Sequence, residues 1–159
     1  MLVRKADIKD IDAIFNMMQD LARHDNVLEF FTCSKEDLIK NIFNENFANA
    51  LVLYYEKKVI GLAIYYFSFI SFAGKKGVNL EVFYIDKNYR KKGFGKALFK
   101  GLVDECLRNN AINLSFFCDI NNKKGFKFYT DTINLIPMKK DYESFIINEM
   151  DLKALSKIL

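Results

Sequence analysis

The chain has 159 residues, 51% apolar and 28% charged, with 24 basic and 20 acidic side chains and a net charge of +4. A chain of this length buries roughly 70% of its unfolded surface, so it needs no disulfide or metal staple. One proline and seven glycines leave no linker, which predicts one domain over residues 1–159. His24 is the only histidine, which excludes multi-histidine metal centres. Cys33, Cys106 and Cys118 lack C-x-x-C spacing and read as reduced, mostly buried thiols, so no metal is expected. Mixed charge gives no general nucleic-acid footprint; the basic clusters are Lys87–Lys96 and Lys123–Lys127. The opening Met1–Lys5 lacks the apolar core of a signal peptide. The longest uncharged run, 59–74, is shorter than the roughly 20 apolar residues of a membrane helix and suits a buried strand. The expectation is a cytoplasmic protein with no nucleic-acid or membrane partner.

In chain order, Leu2–Lys5 reads as a strand. Asp7 or Asp10 then caps a helix whose apolar positions Ile11, Ile14, Phe15, Met18, Leu21 and Ala22 recur every 3.6 residues. Ser34–Asp37 is close to a capping box and opens a second helix. Ala50–Tyr55 and Val59–Phe69 form a hairpin across the turn Glu56–Lys58, and Asn79–Asp86 is a further strand. Past Arg90 the helical period returns through Leu98, Leu102 and Cys106, ending near Asn109. Ile112–Asp119 reads as a strand, Lys123–Thr132 as a helix, Glu143–Met150 as a last strand and Asp151–Leu159 as a short helix. The order β-α-α-β-β-β-α-β-α-β predicts an α/β protein with a mixed sheet and a β-α-β core around residues 78–119.

Two segments carry chemistry. In Arg90-Lys91-Lys92-Gly93-Phe94-Gly95-Lys96 a strand runs into a glycine loop that opens an amphipathic helix. The glycines allow a tight turn and close approach, and the helix N-terminus adds about half a positive charge to that of Arg90, Lys91, Lys92 and Lys96. Such a loop can cradle a pyrophosphate, or it can be an ordinary strand-to-helix turn with a basic rim. It lacks the Gly-Lys-Ser/Thr ending of a P-loop and the third glycine of a dinucleotide fingerprint. In Asn122-Lys123-Lys124-Gly125-Phe126-Lys127-Phe128-Tyr129, the small Gly125 permits close approach and Tyr129 projects a phenol, unless the aromatics are simply core.

Together these motifs resemble the GNAT superfamily of acetyl-CoA-dependent N-acetyltransferases. Arg90-x-x-Gly93-x-Gly95 is similar to its pyrophosphate loop and Asn122–Tyr129 to its Asn-x-x-small-x-x-Phe-Tyr helix. Val3–Ala6 with Asp10 is similar to its opening strand and helix. Ile60–Phe69, Gly74-Lys75, Leu80-Glu81 and Leu21–Asp25 resemble the diamine (spermidine/spermine-type) and thialysine branch. Val82 stands where that branch usually has a second acid, His24 where it has tyrosine, and Ile133-Asn134-Leu135 replaces its usual turn.

The resemblance implies a mostly antiparallel central sheet flanked by helices, and a homodimer. It also implies acetyl-CoA as cosubstrate, lying along Phe83, Tyr84 and Ile85, over Arg90, Lys91, Lys92, Gly93, Phe94, Gly95 and Lys96, and against Asn122, Lys123, Lys124, Gly125 and Tyr129. A small-molecule amine would lie near His24, Asp25, Glu81, Ser115, Phe116 and Phe117. Glu81 would accept the amine's proton and Tyr129 would protonate the leaving thiolate; a salt bridge to lysine is the structural alternative for Glu81. A peptide or protein acetyltransferase would share fold and donor, and a non-catalytic acyl-CoA-binding module would need neither Glu81 nor Tyr129.

Overall fold

A computed structural model describes residues 1–138. The expected strand Glu143–Met150 and helix Asp151–Leu159 lie outside the described residues. β1 (Leu2–Lys5) leads into a turn capped by Asp7, whose side chain accepts from the Lys9 N–H at 2.9 Å while its own N–H donates to Asp10 at 2.7 Å. α1 (Ile11–His24) follows, and α2 (Lys35–Leu38) starts at the Ser34–Asp37 capping box. α2 widens into π-helical turns over Ile39–Asn44. Then come β2 (Asn49–Tyr55), β3 (Lys58–Ile70), β4 (Lys75–Ile85), α3 (Phe94–Arg108), β5 (Leu114–Ser115) and α4 (Lys123–Lys127), which runs on as π-helical turns over Phe128–Thr132.

The five strands pair in the order β1-β2-β3-β4-β5, antiparallel except for the parallel β4–β5 contact. One face packs under α3 through Leu51, Leu53, Ala63, Tyr65, Val78, Leu98 and Leu102. The other packs under α1 and α2 through Val52, Leu62, Ile64, Ile14, Met17 and Leu38. The apolar period of each helix and the alternation of each strand therefore meet in two layers, one per sheet face.

Three expectations change. The hairpin turn is Glu56-Lys57, both with positive φ, and β4 begins at Lys75 because hairpin pairing continues to Ile70↔Lys75. The strand expected over Ile112–Asp119 shrinks to Leu114–Ser115, since among the described residues it pairs with β4 through Val78↔Leu114 and Asn79↔Ser115. β4 continues to Ile85 while the chain after Ser115 leaves it, so the two strands part.

β4 also carries a bulge. Ile64 faces Val82 and Tyr65 faces Leu80, which leaves Glu81 as an extra residue without a partner. An extra residue exchanges the faces of everything beyond it. Val78 and Leu80 point under α3, then Val82 and Tyr84 point toward α1, and Phe83 turns back to α3.

Candidate active site

The basic loop is built by the end of β4. Asp86 caps a short turn by accepting from the Asn88 N–H at 2.9 Å, and its own N–H is held by the Ile60 carbonyl at 2.9 Å. The Arg90 Nε–H donates to the Ile85 carbonyl at 2.9 Å, and its guanidinium lies 5.2 Å from the centre of the Tyr84 ring. Lys91 has φ +62° and Gly93 φ +82°, so the chain turns through two left-handed residues before α3 begins. Left-handed backbone costs an L-residue about 1–2 kcal/mol, which glycine avoids. The first intrahelical donor is the Ala97 N–H, bonded to the Gly93 carbonyl at 3.1 Å. N–H groups earlier in the first turn have no intrahelical acceptor and point out of the helix end. Lys91, Lys92 and Lys96 are exposed around them.

The two motif glycines of the loop differ. A Cβ at Gly93 would meet nothing within 4 Å, whereas one at Gly95 would lie 3.1 Å from the Phe128 ring. Gly95 is small because α4 docks there, and Gly93 is the position where the loop surface stays open. Gly93→Val is therefore expected to weaken acetyl-CoA binding by roughly tenfold or more in calorimetry, through strain and a side chain over the helix end. An unchanged affinity in the folded variant would refute a donor site on this loop. Gly125 has a local explanation too. Its N–H donates to the Asn122 side chain at 2.9 Å, and a Cβ there would sit 2.8 Å from the Asn122 amide nitrogen. The close approach that Gly125 permits is made by the cap of its own helix.

Where β4 and β5 part, aromatic rings fill the space. Phe83 stacks on Phe128 at 5.7 Å, and Tyr129 lies 4.5 Å from Phe116, 6.1 Å from Phe99 and 6.3 Å from Phe83. The π-helical turn helps to collect them, because the Ile133 N–H bonds five residues back to the Phe128 carbonyl and brings Phe128 and Ile133 to one face. Burial, and secondarily the neighbouring Cys118, pushes the Tyr129 phenol above its usual range, so it is a proton donor throughout neutral pH.

The acceptor-side residues fall at the far end of α1 and on β4. His24 is the last residue of α1, Asp25 follows it, and both are exposed. Glu81 is exposed at the bulge; among the described residues the ion pairs are made by Asp10, Asp12, Asp20, Glu45, Asp104 and Glu105, and no described basic side chain pairs with Glu81. Ser115 donates to the Asn79 side chain at 2.6 Å, Phe116 backs Tyr129, and Phe117 is wholly exposed. Cys118 and Cys33 are half-buried rather than buried like Cys106. Burial raises the Cys118 thiol, with Asp119 and Asp25 adding to it. Tyr84 is raised first by burial and then by Asp20. Asp20 escaped the sequence reading, although it stands one helical turn before His24. Tyr84 and Ile85 are buried, so what they offer a ligand is backbone.

The sequence profile of the acetyltransferase (GNAT) family matches residues 15–132. Human spermidine/spermine N(1)-acetyltransferase-like protein 1 is 26% identical over 141 residues, which are 80% of this chain and 19% of that protein, so the chain spans about a fifth of that relative's length. Bovine thialysine N-epsilon-acetyltransferase is 25% identical over 137 residues, 80% of each chain. The crystal structure of a probable acetyltransferase superposes with a TM-score of 0.80 at 17% identity, covering 94% of this chain and all of the other.

Proposed function

The chain belongs to the acetyltransferase (GNAT) family, and on that premise we propose that it transfers an acetyl group from acetyl-CoA to the primary amine of a small molecule. The observation that carries this reading is a cluster of exposed lysines at the open N-terminus of α3, with an exposed acid at the β4 bulge. The donor side has Lys91, Lys92 and Lys96 around an open helix N-terminus, with Lys123, Lys124 and Lys127 on α4. Glu81 stands exposed at the β4 bulge, and Asp20 and Asp25 stand at the end of α1. A pyrophosphate suits the first environment and an alkylammonium the second. Polyamines and thialysine-like amino acids are the acceptor classes favoured by the named relatives.

An alkylamine with a pKa of about 10.4 is protonated at pH 7, and freeing its lone pair costs about 4.6 kcal/mol. Glu81, directly or through a water, accepts that proton. The lone pair then forms the C–N bond to the thioester carbonyl carbon, the C–S bond breaks, and the departing sulfur takes a proton from the Tyr129 hydroxyl. The attacking nitrogen gives up its second proton to solvent as the amide forms, solvent reprotonates Tyr129, and Glu81 releases its proton to solvent. The bulge at Glu81 turns backbone away from ladder pairing, which leaves N–H groups on β4 for the developing oxyanion.

The direct test is acetyl-CoA turnover against a panel of polyamines, amino acids, aminoglycosides and N-terminal peptides. Turnover with the small amines supports the reading; turnover confined to peptides moves the acceptor to the alternative class. Glu81→Gln tests the base. Its kcat/KM is expected to fall most at pH 7 and least at pH 9, where more of the acceptor is already neutral. A uniform loss across that range would make Glu81 a binding residue instead.

A further inference from the structure

We infer that Arg90 acts on the donor as a latch between the basic loop and β4, and not as a phosphate-binding cation. This inference rests on the proposed donor site. Its grounds are the two contacts of the half-buried Arg90 side chain: Nε–H on the Ile85 carbonyl at 2.9 Å, and the guanidinium against the Tyr84 ring at 5.2 Å. Both partners belong to the last two residues of β4. The guanidinium of Arg90 thus bridges the five-residue step from strand to loop and is oriented by protein groups before any ligand arrives.

The loop needs such a fastening. Between Arg90 and α3 the chain passes through left-handed Lys91 and Gly93, and the Tyr89 N–H bond to the Asp86 carbonyl at 2.8 Å lies before that stretch. A loop free to leave this conformation would bind less well by the fraction of time it spends elsewhere. Arg90 also fixes the open N–H groups of the α3 end relative to the backbone of Tyr84 and Ile85, so the two ends of an extended donor meet one rigid frame. Lys91, Lys92 and Lys96 supply the exposed positive charge. Lys92 is the least free of these, donating to the Asn88 carbonyl at 3.2 Å.

The two roles separate experimentally. A latch is kept by any side chain that donates to Ile85, charged or not, whereas a phosphate contact needs charge and is screened by salt. In calorimetry with acetyl-CoA, Arg90→Met is expected to bind about tenfold more weakly, with the salt dependence of the wild type. Arg90→Gln, which keeps an N–H donor and no charge, should recover most of that loss. In turnover, Arg90→Met should raise KM for acetyl-CoA and leave kcat at saturation within about twofold, since the latch acts on donor binding. The comparison variant Lys91→Met should flatten the salt dependence. Equal losses in Met and Gln variants, with a flattened salt dependence in both, would make Arg90 a phosphate ligand and overturn the latch. Failure of the wild-type chain to bind acetyl-CoA would instead remove the donor site itself.

Discussion

Replacing Tyr129 by phenylalanine is expected to lower kcat by at least about 100-fold, the lower end of what general acid catalysis contributes. The hydroxyl is the only group removed. The ring keeps its contacts with Phe116 at 4.5 Å and Phe128 at 5.2 Å, so acetyl-CoA affinity and thermal stability should change little. Tyr129→Ala, by contrast, opens a gap among four rings and should cost about 3–5 kcal/mol of stability. The pH profile adds a second constraint. Because burial holds the phenol above its ordinary range, the donor form persists as pH rises through neutrality, and Tyr129 should contribute no falling limb to kcat between pH 7 and 9. Near-normal kcat in Tyr129→Phe, under conditions where chemistry limits turnover, would assign the proton to water.

The second large effect concerns stability and has an unusual direction. Glu105 on α3 is 2% exposed, with Lys5 of β1 at 2.9 Å, Arg108 at 2.5 Å and the Asn109 amide at 3.0 Å. Burial alone would raise its pKa, but these partners outweigh burial and lower it to about 2. The lysine and arginine side chains are 65% and 63% exposed. Removing the acid therefore leaves two solvated cations, while removing the cations leaves a buried carboxylate with one amide. Lys5→Met with Arg108→Met should cost about 3–5 kcal/mol in urea unfolding at pH 7, and Glu105→Gln only about 1 kcal/mol. Adding Glu105→Gln to the double variant should restore most of the loss. An acid whose folded pKa is depressed stabilises above its unfolded pKa, so this contribution is complete above about pH 4.5 and fades as pH falls toward 2. A larger loss in Glu105→Gln than in the double variant would refute the asymmetry.

Much of this molecule is legible without its tertiary structure. The 3.6-residue period of Ile11–Ala22 and of Leu98–Cys106, the Ser34 cap and the uncharged run from Val59 yield the helices and the long strand, because burial of one face and closure of backbone hydrogen bonds are local demands. The glycine loop and the Asn122–Tyr129 segment are legible because a tight turn and a helix-start segment are written in consecutive residues; the left-handed Gly93 and the Asn122 cap are what the structure adds.

What tertiary structure decided are the features whose cause lies far away in sequence. Gly95 is small because Phe128 lies against it, 33 positions on, and no property of the loop itself says so. The strand after Ile112 is short because β4 and the following chain part, which depends on five rings packing between them. Glu81 is exposed and left out of the β3–β4 register because Tyr65 pairs with Leu80 and Ile64 with Val82, a one-residue offset that alternation within β4 cannot reveal. Arg90 reads as one more cation of a basic loop until the fold shows its Nε–H on Ile85. Local periodicity fixes which residues are helical, extended or turning; the pairing register and the packing of one element on another fix which side chains are left to meet a ligand.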